Sequence, residues 1–304
     1  MNSDGPLVLA VPVFNAEVFL PATLDSLTAQ GSAVRWWLQD GGSTDRTAEI
    51  AQRYARPGDT VISEKDEGQT DALNRAFHQM GGSIVGFLNG DDLLAPGTAE
   101  RVVRYFDEHP EIDLIYGSVE WIDETGKVTG SHRGRIDSLA EMLDIYHVWW
   151  RERQWVQPEV FFRRSLFERV GNFDTRWHLA FDYDYWVRCL RAGARFAHIS
   201  EVIAKFRLHG GQKSTASDKA ADEIRAIVRQ HLPTASIGSW QRRKIEASLA
   251  YDEYQLGRSM PSGARPSFFA ALLSHPQWLL ATAVRRRIQS SLANLLPFRR
   301  RKSQ

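Results

Sequence analysis

Between Leu7 and Ser118, short runs rich in Val, Ile, Leu and Trp alternate with amphipathic runs at helical spacing, and nearly every short run ends in small polar residues. Few architectures accept that rhythm other than a mostly parallel sheet wrapped by helices. Residues 7–14 read as a strand. Phe19, Leu20, Leu24 and Leu27 then recur at helical spacing, and 34–38 reads as a second strand ending at Asp40, which completes a βαβ unit. The spacing goes on to predict helices over 47–54, 70–80 and 97–109, the last stopped by Pro110, and strands over 60–63, 84–88 and 113–118.

In open α/β sheets a ligand lies beyond the carboxyl ends of the strands. There the sequence places Asn15, then DGGSTD (40–45), EKDEGQ (64–69) and NGDD (89–92). Taken alone, 40–42 reads as a tight turn, with Ser43 or Thr44 capping the next helix and Asp45 at its positive end; Asn89-Gly90 is a turn dipeptide. Asp91 and Asp92 ask for more. Two adjacent carboxylates at the end of an apolar strand, with no basic neighbour in the local sequence, repel unless a cation or open solvent relieves them. Mg2+ or Mn2+ takes carboxylate oxygens and keeps positions for water and phosphate, so the pattern points to a metal-bridged diphosphate. The chain has no G-x-x-x-x-G-K-[ST] and no G-x-G-x-x-G after the first strand, which argues against a P-loop NTPase and a dinucleotide dehydrogenase.

The ordered set VPVFNAEVFLPATLDSL (11–27), DGGSTDRT (40–47), SEKDEGQTDALNRAF (63–77), FLNGDD (87–92), FFRRSLFERVGNFD (161–174) and FDYDYW (181–186) resembles family 2 glycosyltransferases, in particular those of O-antigen and other bacterial surface polysaccharides. The resemblance runs from about Leu7 to His209. It implies a GT-A fold, a Rossmann-like α/β arrangement with a mostly parallel central sheet, together with a nucleotide-diphospho-sugar donor, a divalent cation (Mn2+ or Mg2+) and inversion at the anomeric carbon. By the same resemblance Pro12, Phe14, Asn15 and Glu17 lie along the nucleotide, Asp40 bonds the base with Ser43 beside it, and Asp66, Gln69, Asp71 and Asn74 line the nucleoside and donor sugar. Asn89-Gly90-Asp91 stands at the family's D-x-D position, with Asp91 the expected metal ligand. Asn89 replaces the first carboxylate; an amide still bonds ribose but holds a cation less strongly, and Asp92 can compensate, bond backbone or face the acceptor.

The second half has to supply the acceptor side and a base. The resemblance aligns Asp182 with the catalytic aspartate, although Phe181 stands where many relatives carry an acid; Asp184 fits a helix-capping role. An inverting transfer needs one carboxylate to take the proton of the attacking hydroxyl, which contributes typically ~10²–10⁴-fold. Trp155, Gln157 and Glu159 are candidates for acceptor or sugar contacts, Trp155 as a stacking platform, against the simpler reading of the segment as a core strand. Trp149 and Trp150 read as core or membrane-facing. His209, after a predicted strand and before a glycine-rich loop, matches a family site that completes metal or diphosphate binding, and Lys213 could meet phosphate; an ordinary surface or core histidine is the alternative. Cys189 reads as packing, and a single cysteine excludes an internal disulfide and suits a reducing compartment.

Net charge is +1, yet it divides unevenly: 254–304 hold nine Arg/Lys and no acid, leaving 29 basic and 37 acidic side chains before them, −8 against +9. The expected organisation is a catalytic domain over 1–216, a helical extension over 217–256 and a basic amphipathic tail over 257–304. In that tail Val284, Ile288, Leu292, Leu295 and Leu296 form a stripe at helical spacing, flanked by Arg285–Arg287 and the basic run 299–302. With Phe268, Phe269 and Trp278 it reads as a helix lying on an anionic leaflet; packing on the catalytic domain is the alternative. Neither an export signal nor a spanning segment is expected, which places the protein in the cytoplasm at the inner face of the membrane, with a lipid-linked or glycan acceptor and no nucleic-acid partner. A nucleotidyltransferase or a non-catalytic sugar-nucleotide-binding scaffold would use the same strand ends without needing Asp182.

Overall fold

A computed structural model of the chain describes residues 7–212, 217–256 and 268–295. β1 (Leu7–Val13) is wholly buried, as an apolar strand must be when both faces of a sheet are covered. Leu7, Leu9, Val11 and Val13 pack on one face with Leu20, Leu24 and Leu27 of α1 (Leu20–Thr28), while Val8 and Ala10 face the other side. β2 (Val34–Asp40) runs parallel to β1 with Asp40 level with Val13. α2 (Thr47–Tyr54) leads to β3 (Thr60–Ser63), parallel to β2 with Ser63 level with Asp40. α3 (Gln69–Gln79) then crosses to β4 (Ile84–Phe87), which pairs on the opposite edge of β1. Strand order therefore reverses beside β1, and a crevice opens where the chain leaves β1, β2, β3 and β4.

After the two-residue β5 (Leu93–Leu94) and α4 (Thr98–Glu108), β6 (Leu114–Ile122) runs past Ser118, the end its pattern predicts, into a hairpin with β7 (Val128–His132). The Asp123 carboxylate fixes that turn by accepting the backbone N–H groups of Thr125 and Lys127. α5 (Leu139–Leu143) and a π-helical stretch (Ile145–Arg153) precede β8 (Val160–Arg163), inserted antiparallel between β4 and β6. α6 (Arg164–Val170), α7 (Phe181–Arg191) and β9 (Phe196–Arg207) follow, and β9 pairs parallel with β6. The sheet reads β3-β2-β1-β4-β8-β6-β9-β5, with β7 on β6.

Helices cover both faces. α1, α2 and α4 pack on one; α3, α6 and α7 pack on the other, where Phe77, Phe162, Phe173, Tyr185 and Trp186 form an aromatic core, and Cys189 is buried within it as packing predicts. α8 (Ser217–His231) and α9 (Ser239–Leu256) join that same core through Ile227, Val228, Ile245 and Leu249, so the helices over 217–256 are continuous with it. α10 (Phe268–Ser274) and α11 (Thr282–Leu295) close a smaller cluster in which Phe268, Trp278 and Val284 are buried against Tyr251 and Tyr254 of α9. This corrects the membrane-facing reading of those three side chains. Helical periodicity marks a face that needs covering; it does not say what covers it. Trp149 is likewise buried in the main core. The side chains of Phe269, Leu292 and Leu295, with Lys213, Leu296 and the basic run 299–302, lie outside the described residues. Among the described residues no helix is long and apolar enough to cross a membrane.

Candidate active site

The register of β1, β2 and β3 brings three polar loops to one edge. Asn15, just past β1, takes a left-handed conformation (φ 48°) that asparagine tolerates better than most residues. Its N–H donates to Ser43 Oγ (2.7 Å), and its Oδ1 accepts the N–H of Thr44 (2.9 Å). Glu17 accepts Arg46 from backbone N–H and Nε (3.2 and 3.1 Å), stitching the first loop to the second. Asp40 is fully buried and accepts Ser43 Oγ and Ser63 Oγ, the latter at 2.6 Å. Gly41 lets Asp66 approach closely, since a Cβ there would lie 2.8 Å from Asp66 Oδ2 and push that carboxylate aside. Burial pushes the Asp66 carboxyl above its ordinary value, helped by the charges of Asp71 and Asp40 and opposed by the Gly68 N–H. Pro12 is buried within β1, whereas Phe14 projects 63% exposed at the mouth of the crevice.

The NGDD turn follows β4 and packs against β1; a Cβ on Gly90 would stand 2.7 Å from Val13 Cγ1. Its four residues divide the work. Asn89 Oδ1 accepts Gln69 Nε2 (2.7 Å), and Asn89 Nδ2 donates to Gln157 Oε1 (2.7 Å). Asp91 is partly exposed, and its Oδ2 faces His209 Nε2 at 3.0 Å. Asp92 is buried and accepts the N–H of Arg207 (3.0 Å); burial, then the neighbouring charge of Asp91, hold its carboxyl well above the usual range. Of the roles open to Asp92 in the sequence, backbone bonding is the one the structure shows.

Gln157 also lies beside the carboxylate of Asp182, at the start of α7, where its amide favours the charged form. Hydrogen bonds thus join Gln69, Asn89 and Gln157, from α3 through the NGDD turn to the side chain that stands beside the acid of the second half. Burial raises Asp182 to about 6, against the lowering effect of the Tyr183 N–H (2.8 Å) and Gln157. A carboxylate with that affinity can take a proton from a bound hydroxyl near neutral pH.

Other sequence candidates sit elsewhere. Asn74 uses both ends of its amide on the backbone of Phe173 (2.9 Å each), which makes it a clamp on the 173–180 loop. Trp155 is 2% exposed and packs on Tyr116 (4.6 Å between centroids), so no face is open for stacking. Glu159 is fully buried and accepts the Val156 N–H (2.8 Å), closing its own turn. Burial pushes its carboxyl well up. Asp71 pairs with Arg75 (2.7 Å) at the crevice rim. Asp184, two residues past Asp182, is buried on Arg188 (2.7 Å) and His231 (2.9 Å).

Two contributors were not read from the sequence. Arg207 is 3% exposed, donates through Nε to the Asp91 carbonyl (2.9 Å) and through Nη1 to the Asp123 and Glu124 carbonyls, and so ties the NGDD turn to β9 and the β6–β7 turn. Glu223 of α8 accepts the N–H groups of His178, Leu179 and Ala180 just before Asp182. Neither stands in a local motif; the one available signal for Arg207 was its place two residues before His209.

The residues present fit a cation shared with substrate phosphate. Asp91 Oδ2 and His209 Nε2 converge from two loops, one hard oxygen and one imidazole. Among the described residues no group of three or more His, Cys, Asp or Glu converges, so an all-protein cage is not built.

The sequence model described as "Glycosyl transferase family 2" matches residues 8–173. A PGL/p-HBAD biosynthesis glycosyltransferase from Mycobacterium tuberculosis (strain ATCC 25618 / H37Rv) is 32% identical over 219 residues, 69% of this chain and 80% of that protein. An uncharacterized glycosyltransferase from Methanocaldococcus jannaschii is 24% identical over 67% of this chain and 72% of its own. Among solved structures, S. aureus TarS superposes with TM-score 0.61 at 18% identity over 90% of this chain, which spans about half (47%) of that chain. The mannosyltransferase PcManGT from Pyrobaculum calidifontis, in complex with GDP-Man and Mn2+, gives 0.58 at 17% identity over 97% of this chain and 88% of that one. At these identities the structural likeness speaks to the fold.

Proposed function

Since the chain belongs to glycosyl transferase family 2 and is a glycosyltransferase with a GT-A fold, we propose that it moves a sugar, with inversion, from a nucleotide-diphospho-sugar to a hydroxyl of a lipid-linked or polysaccharide acceptor. The observation that supports the reading is the side-chain relay from Gln69 through Asn89 to Gln157, which lies beside Asp182 and so links the donor-side strand ends to the neighbourhood of one carboxylate suited to accept a proton. TarS bound to UDP-GlcNAc and PcManGT bound to GDP-Man, alike in fold, support a nucleotide-sugar donor. The lipid-linked or polysaccharide acceptor rests on the sequence resemblance.

In this reading Phe14 offers an exposed ring to the base, Asp40 and Ser43 shape the floor beside it, and Asn15 and Glu17 set the edge of the nucleotide groove. Asp66 and Gln69 face the nucleoside and donor sugar, with Asp71 at the rim. Asp91 and His209 would hold the divalent cation, which when bound neutralises charge on the departing diphosphate. Gln157 orients the Asp182 carboxylate, and Asp182 accepts the proton of the attacking hydroxyl. A single displacement needs no second carboxylate below the ring.

The test is a panel of nucleotide sugars with Mn2+ or Mg2+ and membrane extract as acceptor, read as released nucleotide diphosphate. Asp182→Asn should keep donor binding and lose about 10²–10⁴-fold in turnover. Release by the variant at the wild-type rate, or no donor turned over or bound by the wild type, would refute the reading.

We also propose that the protein works against an anionic membrane surface. Support comes from the acid-free basic stretch after Glu253 and from the exposed Leu273, Leu279, Arg285 and Arg286 of the last helices.

A further inference from the structure

We infer that Glu223 is a positioning residue for the transfer: its carboxylate, carried on α8, fixes the turn that presents Asp182 and sets the charge that faces it. The inference rests on the reading of Asp182 as the base.

The first N–H groups of a helix have no partner within it, and a side chain at the N-cap usually satisfies them. At the head of α7 the N-cap is Ala180, which has nothing to offer. Another helix instead holds the turn that leads into α7. Glu223 Oε1 accepts the N–H of His178 (3.2 Å), and Oε2 accepts those of Leu179 and Ala180 (2.8 Å each). Hydrogen bonds to an ionised acceptor are roughly twice as strong as neutral ones, so three on one carboxylate hold the turn firmly.

The same loop is gripped from its other side. Asn74 clamps Phe173 by both ends of its amide, and Thr70 Oγ1 donates to the Trp177 carbonyl (3.3 Å). α3 and α8 together therefore clamp 173–180, and α3 also carries Gln69, the first member of the relay that ends beside Asp182. Among the described residues no Lys or Arg lies within ion-pair distance of Glu223, and Lys219 stands one turn earlier on the same helix. Among the described residues Glu223 is a charge that acts on Asp182; the Tyr183 N–H donates to the carboxylate, and Gln157 lies beside it as a neutral neighbour. Asp184 turns away to Arg188 and His231. The charge of Glu223 adds to burial in raising the proton affinity of Asp182, which makes it the stronger base.

Glu223→Gln keeps the shape and one acceptor oxygen and removes the charge; Glu223→Ala removes both. For each, kcat, the acceptor KM, donor binding and melting are measured from pH 5 to 8, alone and in the Asp182→Asn background. Glu223→Gln should move the acid limb of kcat to lower pH and lower the plateau, since it weakens the base and leaves one acceptor oxygen for three N–H groups. Glu223→Ala should lower kcat by roughly 10²-fold, as expected when a reacting group loses its alignment, with donor binding unchanged. Neither should reduce turnover further once Asp182 is Asn. If Asp182→Asn abolishes turnover while Glu223→Gln leaves both the acid limb and the plateau in place, the inference is overturned; a drop in melting temperature with kcat unchanged overturns it as well. Turnover retained by Asp182→Asn would instead remove the base assignment, and the inference with it. Should Glu223→Ala not fold, Glu223→Gln carries the test.

Discussion

Asp182 illustrates how one residue is pulled between stability and chemistry. Its carboxyl titrates near 6 because burial penalises the charged form more than the Tyr183 N–H and Gln157 favour it. A base must be ionised, so kcat should fall about tenfold per pH unit below 6 and level off above it. Stability runs the other way. The folded state binds the proton more tightly than the unfolded chain does, so stability is lost as pH rises from the unfolded value of 3.8 through 6 and stays lost above. Asp182→Asn, which carries no charge, should therefore melt higher than wild type at pH 8 and match it near pH 4. A variant that melts lower at pH 8 would mean that the ionised carboxylate is stabilised in place, contrary to its burial.

At the scale of the element, α7 shows why sequence reading separated its two acids only in part. Asp182 and Asp184 both lie in the first turn and look alike as first-turn acids, yet two residues along a helix turn a side chain by about 200°. Asp182 meets the crevice and Gln157, whereas Asp184 meets Arg188 one turn on and His231 across on α8. Asp184→Ala should destabilise by about 1–3 kcal/mol, read by denaturant unfolding, because it removes the buried carboxylate that the half-buried Arg188 and the buried His231 both bond. A loss below about 1 kcal/mol would mean that solvent already screens the pair. The strand ends were legible because they rest on local signals: DGG, NGDD and the apolar runs before them occur within a few residues. Trp155 and Asn74 were misplaced because polar or aromatic character shows that a residue needs a partner, not whether that partner is a ligand or the backbone of Phe173. Arg207 and Glu223 act on groups more than 40 residues away, a separation that periodicity does not reach.

The whole molecule raises the same question of what covers an apolar face. Of the stripe that suggested a membrane-bound helix, Val284 is buried and Ile288 packs beside it; Phe268 and Trp278 are buried against α9 as well, and Arg287 stacks over Phe268 at 4.3 Å. α9, on which the terminal helices rest, is bolted to the body by charge. Asp144 accepts Lys244 of α9 at 2.8 Å and His147 at 2.6 Å, and Tyr146 and Arg225 share Asp252. Among the described residues, what remains outside for a membrane is Leu273 at 86% exposure, with Arg285 and Arg286. Two variants separate the packed face from the outer one. Trp278→Ala should destabilise by about 3–5 kcal/mol, as emptying a buried indole site does, without changing the charge that a membrane would attract. Arg285→Glu with Arg286→Glu should melt as wild type does and lose sedimentation with vesicles containing phosphatidylserine, an affinity that in the wild type should fade as salt shortens the Debye length. Wild type that ignores such vesicles at low salt would leave α10 and α11 as packing for α9 alone, and the basic excess after Glu253 without a lipid partner.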